Sequence, residues 1–152
     1  MIQWLKKIAA AFRPATNQKP VDIAWPQGGN VRVQAPDFSD QTLVIRFTTP
    51  PVSIRTPSLQ VSQLARAPQV FRVATLATQP GIVASGPGTS ETILGSAVSQ
   101  SPVFRLTVGT GRMGLIGLKP DTTYYLNVVN RDNYGGPSNC VGNCGVNIDF
   151  TN

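Results

Sequence analysis

From Val21 to Phe150 the apolar residues recur with a period of two, in ten short runs cut apart by glycine- and proline-rich turns. The runs are Val21–Trp25, Val31–Gln34, Thr42–Thr49, Leu59–Gln63, Gln69–Leu76, Thr89–Leu94, Val103–Val108, Met113–Leu118, Thr123–Asn130 and Gly145–Phe150. No helical pattern lies between them. Parallel strands need long crossovers, commonly helical, so short strands without them predict antiparallel pairing in a sandwich or barrel. Turn chemistry marks the gaps: Pro26-Gln27-Gly28-Gly29-Asn30, Ala35-Pro36-Asp37, Pro50-Pro51, Gln79-Pro80-Gly81, Ser85-Gly86-Pro87-Gly88 and Lys119-Pro120-Asp121. The prolines fall between the runs, where a missing N–H removes no ladder bond. The expected fold is all-β, an antiparallel β-sandwich over residues 21–152.

The first twenty residues obey a different rule. On a helical wheel Met1, Trp4, Leu5, Ile8, Ala9 and Phe12 fall on one side, and Gln3, Lys6, Lys7 and Arg13 on the other. Pro14 ends the pattern, because the residue before proline avoids the helical region. Residues 1–14 are therefore expected to form a short amphipathic helix, and Ala15–Pro20 a polar linker. Thirteen helical residues span roughly 20 Å, too short to cross a bilayer. Such a helix is marginal alone in water, so something must cover its apolar face. Four covers compete. Lys6-Lys7 interrupts the apolar run that a secretory signal peptide needs. Trp and Phe opposite Lys and Arg would suit a membrane surface. The helix could pack on its own domain. The linker favours the fourth cover, a peg in which Trp4, Leu5, Ile8 and Phe12 dock on another protein chain.

Charge follows the same division. The chain carries thirteen bases and seven acids, a net +6. Lys6, Lys7, Arg13 and Lys19 place +4 in residues 1–20, leaving nine bases against seven acids in the body. A nucleic-acid reader would put its bases on one face of the body, and that footprint is missing. Arg46-Phe47, Phe71-Arg72 and Phe104-Arg105 pair a ring with a guanidinium, as single-strand binders do. Strand neighbours point to opposite faces, however, so each ring is expected inward and each arginine outward.

Candidate chemistry is sparse. There is no histidine, Glu91 is the single glutamate, and only two cysteines occur. This excludes Ser-His-Asp and Cys-His nucleophile systems and His- or Cys-rich metal cages. Gly109-Thr110-Gly111-Arg112-Met113-Gly114 has the spacing of a dinucleotide loop, but Pro120 follows too soon for the required helix. A glycine-rich hairpin turn is expected instead. Asn130-Arg131-Asp132-Asn133-Tyr134-Gly135-Gly136 begins like a calcium loop, but has Tyr134 and Val141 where oxygen ligands belong. Asp37 and Asp40 form the nearest carboxylate pair, in a polar loop with no sign of the cleft a glycosidase needs. No cofactor, metal site or catalytic residue is expected. Cys140-Val141-Gly142-Asn143-Cys144 lacks further ligands for zinc and is not a C-x-x-C redox pair. A small disulfide ring between Cys140 and Cys144 is the favoured reading, with free thiols as the alternative.

Leu118-Lys119-Pro120-Asp121-Thr122-Thr123-Tyr124-Tyr125-Leu126-Asn127-Val128 resembles the L-x-P-x-T-x-Y entry to the sixth strand of fibronectin type III domains. The resemblance implies a Greek-key sandwich in which Tyr124 forms a tyrosine corner, its hydroxyl returning to the backbone before the strand. It spans about eleven residues, and Trp25 lies too far upstream to be that family's early-strand tryptophan. The sandwich topology carries over and membership does not. The C-terminal third, with Tyr124–Val128, Cys140, Cys144 and a last strand Val146–Phe150, also resembles small uncharacterised β-domains of bacterial and tailed-phage proteins. That likeness implies no chemistry, only a virion or bacterial-surface setting.

A disulfide without a signal peptide fits a protein made in the cytoplasm and released by lysis. The functional expectation is a non-enzymatic structural protein of a bacteriophage virion, attached to capsid, portal or tail by its N-terminal helix. Its partners would be other virion proteins or further copies of itself. The alternative is a bacterial surface or secreted binding module, for ligands such as glycans, with Trp25, Tyr125 and Tyr134 as contacts. A hydrolase is the third class and has least behind it.

Overall fold

The computed structural model describes residues 19–35, 41–51, 56–64, 70–84, 91–131 and 144–152. The docking residues Trp4, Leu5, Ile8 and Phe12, and the expected helix that carries them, lie outside the described residues, as do Asp37, Asp40, Tyr134 and Cys140. Among the described residues ten strands follow in order: β1 Val21–Asp22, β2 Asn30–Ala35, β3 Leu43–Thr48, β4 Ser58–Gln63, β5 Phe71–Ala77, β6 Ile93–Ser99, β7 Val103–Val108, β8 Ile116–Leu118, β9 Thr123–Arg131 and β10 Val146–Thr151. They form two five-stranded sheets, β1-β3-β9-β5-β6 and β2-β10-β4-β7-β8. The molecule is an all-β, two-sheet sandwich.

Alternation builds the core. Along β10 Val146, Ile148 and Phe150 are buried while Asn147 and Asp149 reach outward. They meet Leu43, Ile45 and Phe47 of β3, Leu59 and Val61 of β4, and Leu126 and Val128 of β9. At one end Trp25 packs edge-on against Phe150, ring centroids 5.1 Å apart. Phe47 stands 5.2 Å from Phe150 and 6.0 Å from Tyr124. The two edge-to-face pairs on Phe150 add to plain area burial.

The sheets are mixed, which corrects the expectation of an antiparallel sandwich. β1 runs parallel to β3, with Val21 opposite Ile45, because β2 lies in the other sheet and the chain crosses over and back between them. β7 runs parallel to β8, pairing Leu106–Val108 with Ile116–Leu118. Parallel neighbours ordinarily need a crossover of a dozen residues or more. Residues 109–115 make this return instead, so the expected hairpin turn is a tight parallel loop. Glycine is what permits it. Gly109 and Gly114 take positive φ values of 124° and 80°. A Cβ on Gly117 would collide with the backbone N of Gly111 and O of Gly109.

Strand β6 begins where the expected strand Thr89–Leu94 should end. The expected run holds the branched residues Thr89, Thr92 and Ile93, and the residues after it, Gly95-Ser96-Ala97, are small. That small run is nevertheless paired with β5, with a bulge opposite Leu76/Ala77. Leu94 and Gly95 both turn toward the core there. An ideal Cβ on Gly95 would stand 2.8 Å from Ile116 Cδ1, so the glycine makes room for that side chain.

Candidate functional site

Polar side chains inside a sandwich must find partners, so their bonds reveal what they do. Tyr124 is buried and Tyr125, its neighbour, is half-buried on the opposite face. The Tyr124 hydroxyl accepts the backbone N–H of Lys119 at 2.8 Å. Asp121, between them, takes φ 49°, a left-handed conformation that Asp tolerates better than most residues. The end of β3 clamps the same turn. Thr49 Oγ1 donates to the Lys119 carbonyl at 2.6 Å and accepts from the Thr122 N–H at 2.9 Å. This corner fixes the direction in which β9 enters the first sheet.

On the outer face of that sheet, β9 loses its alternation: Leu126 through Asn130 are all buried. Part of the cover is the segment Gln79–Ala84, which folds back from β5 over the outer face. Pro80 followed by Gly81 at φ 80° suits a turn whose third residue is left-handed. Asn127 holds the turn with both ends of its amide. Its Oδ1 accepts the Gly81 N–H at 2.9 Å, and its Nδ2 donates to the carbonyls of Gln79 at 3.1 Å and Ile82 at 2.9 Å. Beside it in the ladder, Thr75 Oγ1 accepts the Ala84 N–H at 3.0 Å. A buried asparagine inside an apolar strand is the signal that could have found this site in the sequence. No periodicity argument locates the segment it holds.

The strand arginines Arg32, Arg46, Arg105 and Arg72 separate into two kinds. Arg46 binds Asp22 through Nε (2.6 Å) and Nη2 (3.0 Å), and Arg32 binds Asp149 through Nε (2.7 Å) and Nη2 (3.2 Å). These bonds hold both carboxyls below the usual carboxylate range, and Asn30 adds a further donor to Asp149. Arg46 and Arg105 face outward beside buried Phe47 and Phe104, as expected. Arg72 overturns the third pairing, being fully buried while Phe71 is half-buried. The reason is register: Arg72, Ala74 and Leu76 share the core face, and Arg72 lies at its end opposite Asn130. Its Nη1 makes long bonds to the carbonyls of Val70 (3.4 Å) and Gln100 (3.3 Å). Its Nε and Nη2 are buried without a partner, and desolvation pushes the guanidinium below its ordinary value. That Nε/Nη2 edge is the fork that Arg32 and Arg46 close on a carboxylate.

Cys144 is buried at the entry to β10, where its carbonyl accepts a long bond (3.4 Å) from Asn130 Nδ2, and it is not a free thiol. Trp25, half-buried, spends its ring on Phe150 and Phe47, whereas Tyr125 sits on the outer face beside Arg46. Among the described residues no group of three or more His, Cys, Asp or Glu side chains is placed to hold a metal ion, and no helix is long and apolar enough to cross a membrane. No protein-family model matches the chain, and no curated protein or solved structure shows significant similarity to it.

Proposed function

We propose that the chain is a non-enzymatic structural protein of a bacteriophage virion, its sandwich displayed outward and its N-terminal segment docked on capsid, portal or tail. The observation that carries this reading is the division between body and arm. Asn127, Thr75, Thr49 and Tyr124 spend their polar groups on the domain's own backbone, which suits a rigid display module. The arm ahead of it holds +4 of the net +6 together with the apolar stripe Trp4, Leu5, Ile8 and Phe12. A disulfide between Cys140 and Cys144 belongs to the same proposal. It would close the loop feeding β10 and become oxidised on release from the cell. The likeness of the C-terminal third to small phage and bacterial β-domains supplies the setting.

Deleting residues 1–14 is the test. The truncated chain should fold, remain soluble and fail to enter the particle. A truncated chain that still assembles normally overturns the docking role, and one that unfolds assigns the helix to the domain's own core. The glycan-binding reading keeps Tyr125 as a contact in the described residues. Trp25, packed on two core phenylalanines, is the weaker of its aromatic candidates.

A further inference from the structure

Cysteine and methionine are the side chains that peroxides oxidise stepwise, and exposure decides which of them react. The chain has two of each. Among the described residues the sulfurs are those of Cys144 and Met113. Cys144 is buried and is not a free thiol. Met113 is the opposite case, 101% exposed and the most exposed large apolar side chain among the described residues. The loop from β7 to β8 explains why. Residues 109–114 are exposed without interruption. Their base is tied by the Gly109 N–H, which donates to the Leu118 carbonyl at 2.8 Å, and the Leu115 N–H donates to the Arg112 carbonyl at 2.9 Å. Arg112-Met113-Gly114-Leu115 is therefore a β-turn, and Gly114 at φ 80° gives it the type II form. Met113 stands at the second position, the outer corner. Backbone bonds hold the turn, and the thioether has no place in the hydrophobic core.

We propose that Met113 is a reversible oxidation site, with a peroxide as the oxidant and the dithiol of a methionine sulfoxide reductase as the group that restores it. The inference rests on this loop alone and not on the virion reading. In the forward step a sulfur lone pair attacks one oxygen of hydrogen peroxide. An S–O bond forms as the O–O bond breaks, and the departing hydroxide takes the proton of the attacked oxygen and leaves as water. Sulfur is oxidised to the sulfoxide and the peroxide is reduced. In the return step two thiols become a disulfide and the sulfoxide oxygen leaves as water. Oxidation turns a flexible apolar side chain into a polar one, which disrupts a core that contains it. At the corner of this turn the new S=O group meets water instead, so the two sheets keep their packing in both states. Gly114 beside Met113 and Gly111 two residues before it carry no side chains, which leaves the sulfur open to an enzyme as well as to a small oxidant.

The test treats the full chain, as wild type and as Met113→Leu, with dilute hydrogen peroxide and follows each methionine by peptide mass spectrometry. The Met113 peptide should gain one oxygen at a rate within about tenfold of that of N-acetylmethionine amide, as an unshielded thioether does. Treated wild type and equally treated Met113→Leu should melt at the same temperature, a comparison that removes any effect of oxidising Met1. The two methionine sulfoxide reductases, one for each sulfoxide epimer, should then return the Met113 peptide of the folded chain to its starting mass with dithiothreitol as reductant. A slower rate than that overturns the proposal, because the sulfur is then covered. So does a melting temperature lowered in treated wild type alone, which would mean that the thioether packs in the fold. A sulfoxide reduced only after the chain is denatured also overturns it, since the site could then not cycle. None of these results bears on docking through residues 1–14, which does not use this loop.

Discussion

Replacing Asn127 by alanine should be among the most damaging single changes in the outer half of the first sheet. The side chain is fully buried and makes three hydrogen bonds of 2.9, 3.1 and 2.9 Å, all to the backbone of Gln79–Ile82. A buried hydrogen bond contributes about 0.5–1.5 kcal/mol net, which for three gives a range centred near 3 kcal/mol. Two features bound the cost. Gln79 is exposed, so water can satisfy its carbonyl after the change, whereas the Gly81 N–H is buried and would be orphaned. The expected loss is therefore about 2–4 kcal/mol. Urea denaturation should show it as a lower midpoint with little change in slope. Hydrogen exchange should show selective loosening of residues 79–84. Asn127→Asp is the companion variant: it keeps the acceptor for Gly81, loses both donated bonds and places a carboxyl in a buried site, so it should recover little. A loss below about 1 kcal/mol, or a loss spread evenly without extra exchange at residues 79–84, would refute the claim that Asn127 holds that segment.

Tyr124→Phe removes the acceptor of the Lys119 N–H and should cost about 1–2 kcal/mol, while Tyr125→Phe on the opposite face should be near neutral; equal losses in thermal melts would contradict the alternation of β9. Arg72→Met replaces a buried guanidinium with unpartnered Nε and Nη2 by an apolar chain of similar length, so chemical denaturation should find it neutral or more stable than wild type, and a loss above about 3 kcal/mol would mean the charge is compensated after all. The Asp149 carboxyl is held below its ordinary value chiefly by its bond to Arg32, so its contribution is complete above the unfolded carboxylate pKa near 4 and disappears as pH falls through the lower folded value. Asp149→Asn should thus destabilise at pH 7 and converge on wild type in strong acid, and a gap independent of pH would rule the ion pair out as its source. Gly117→Ala drives a Cβ into the backbones of Gly109 and Gly111 and should cost about 1–3 kcal/mol or more, read by the melting midpoint.

Period-two hydrophobicity located the described strands other than β6, and the alternation within β10 and β7 followed it because one face of each meets the core and the other reaches outward. Proline and glycine set the turns, since they dictate backbone angles whatever the surroundings. The corner at Tyr124 was legible for the same reason: its hydroxyl returns to Lys119, only five residues away. Properties that join distant segments were not legible. Whether β1 lies parallel to β3 depends on which sheet receives β2, and no residue of β1 records that choice. The displacement of β6 shows the same limit, because Gly95-Ser96-Ala97 has little strand preference of its own and is held by β5 and by Ile116. Arg72 reads as a surface residue beside Phe71 until its register against Asn130 puts it at the end of the core. Asn127 reads as an interruption until Gln79–Ile82 arrives to use its amide. Sequence by itself determined the local period and the turns, because those act between neighbours along the chain. Tertiary structure alone decided parallel or antiparallel pairing, the burial of Arg72 and the place of β6, because each depends on which distant strand lies alongside.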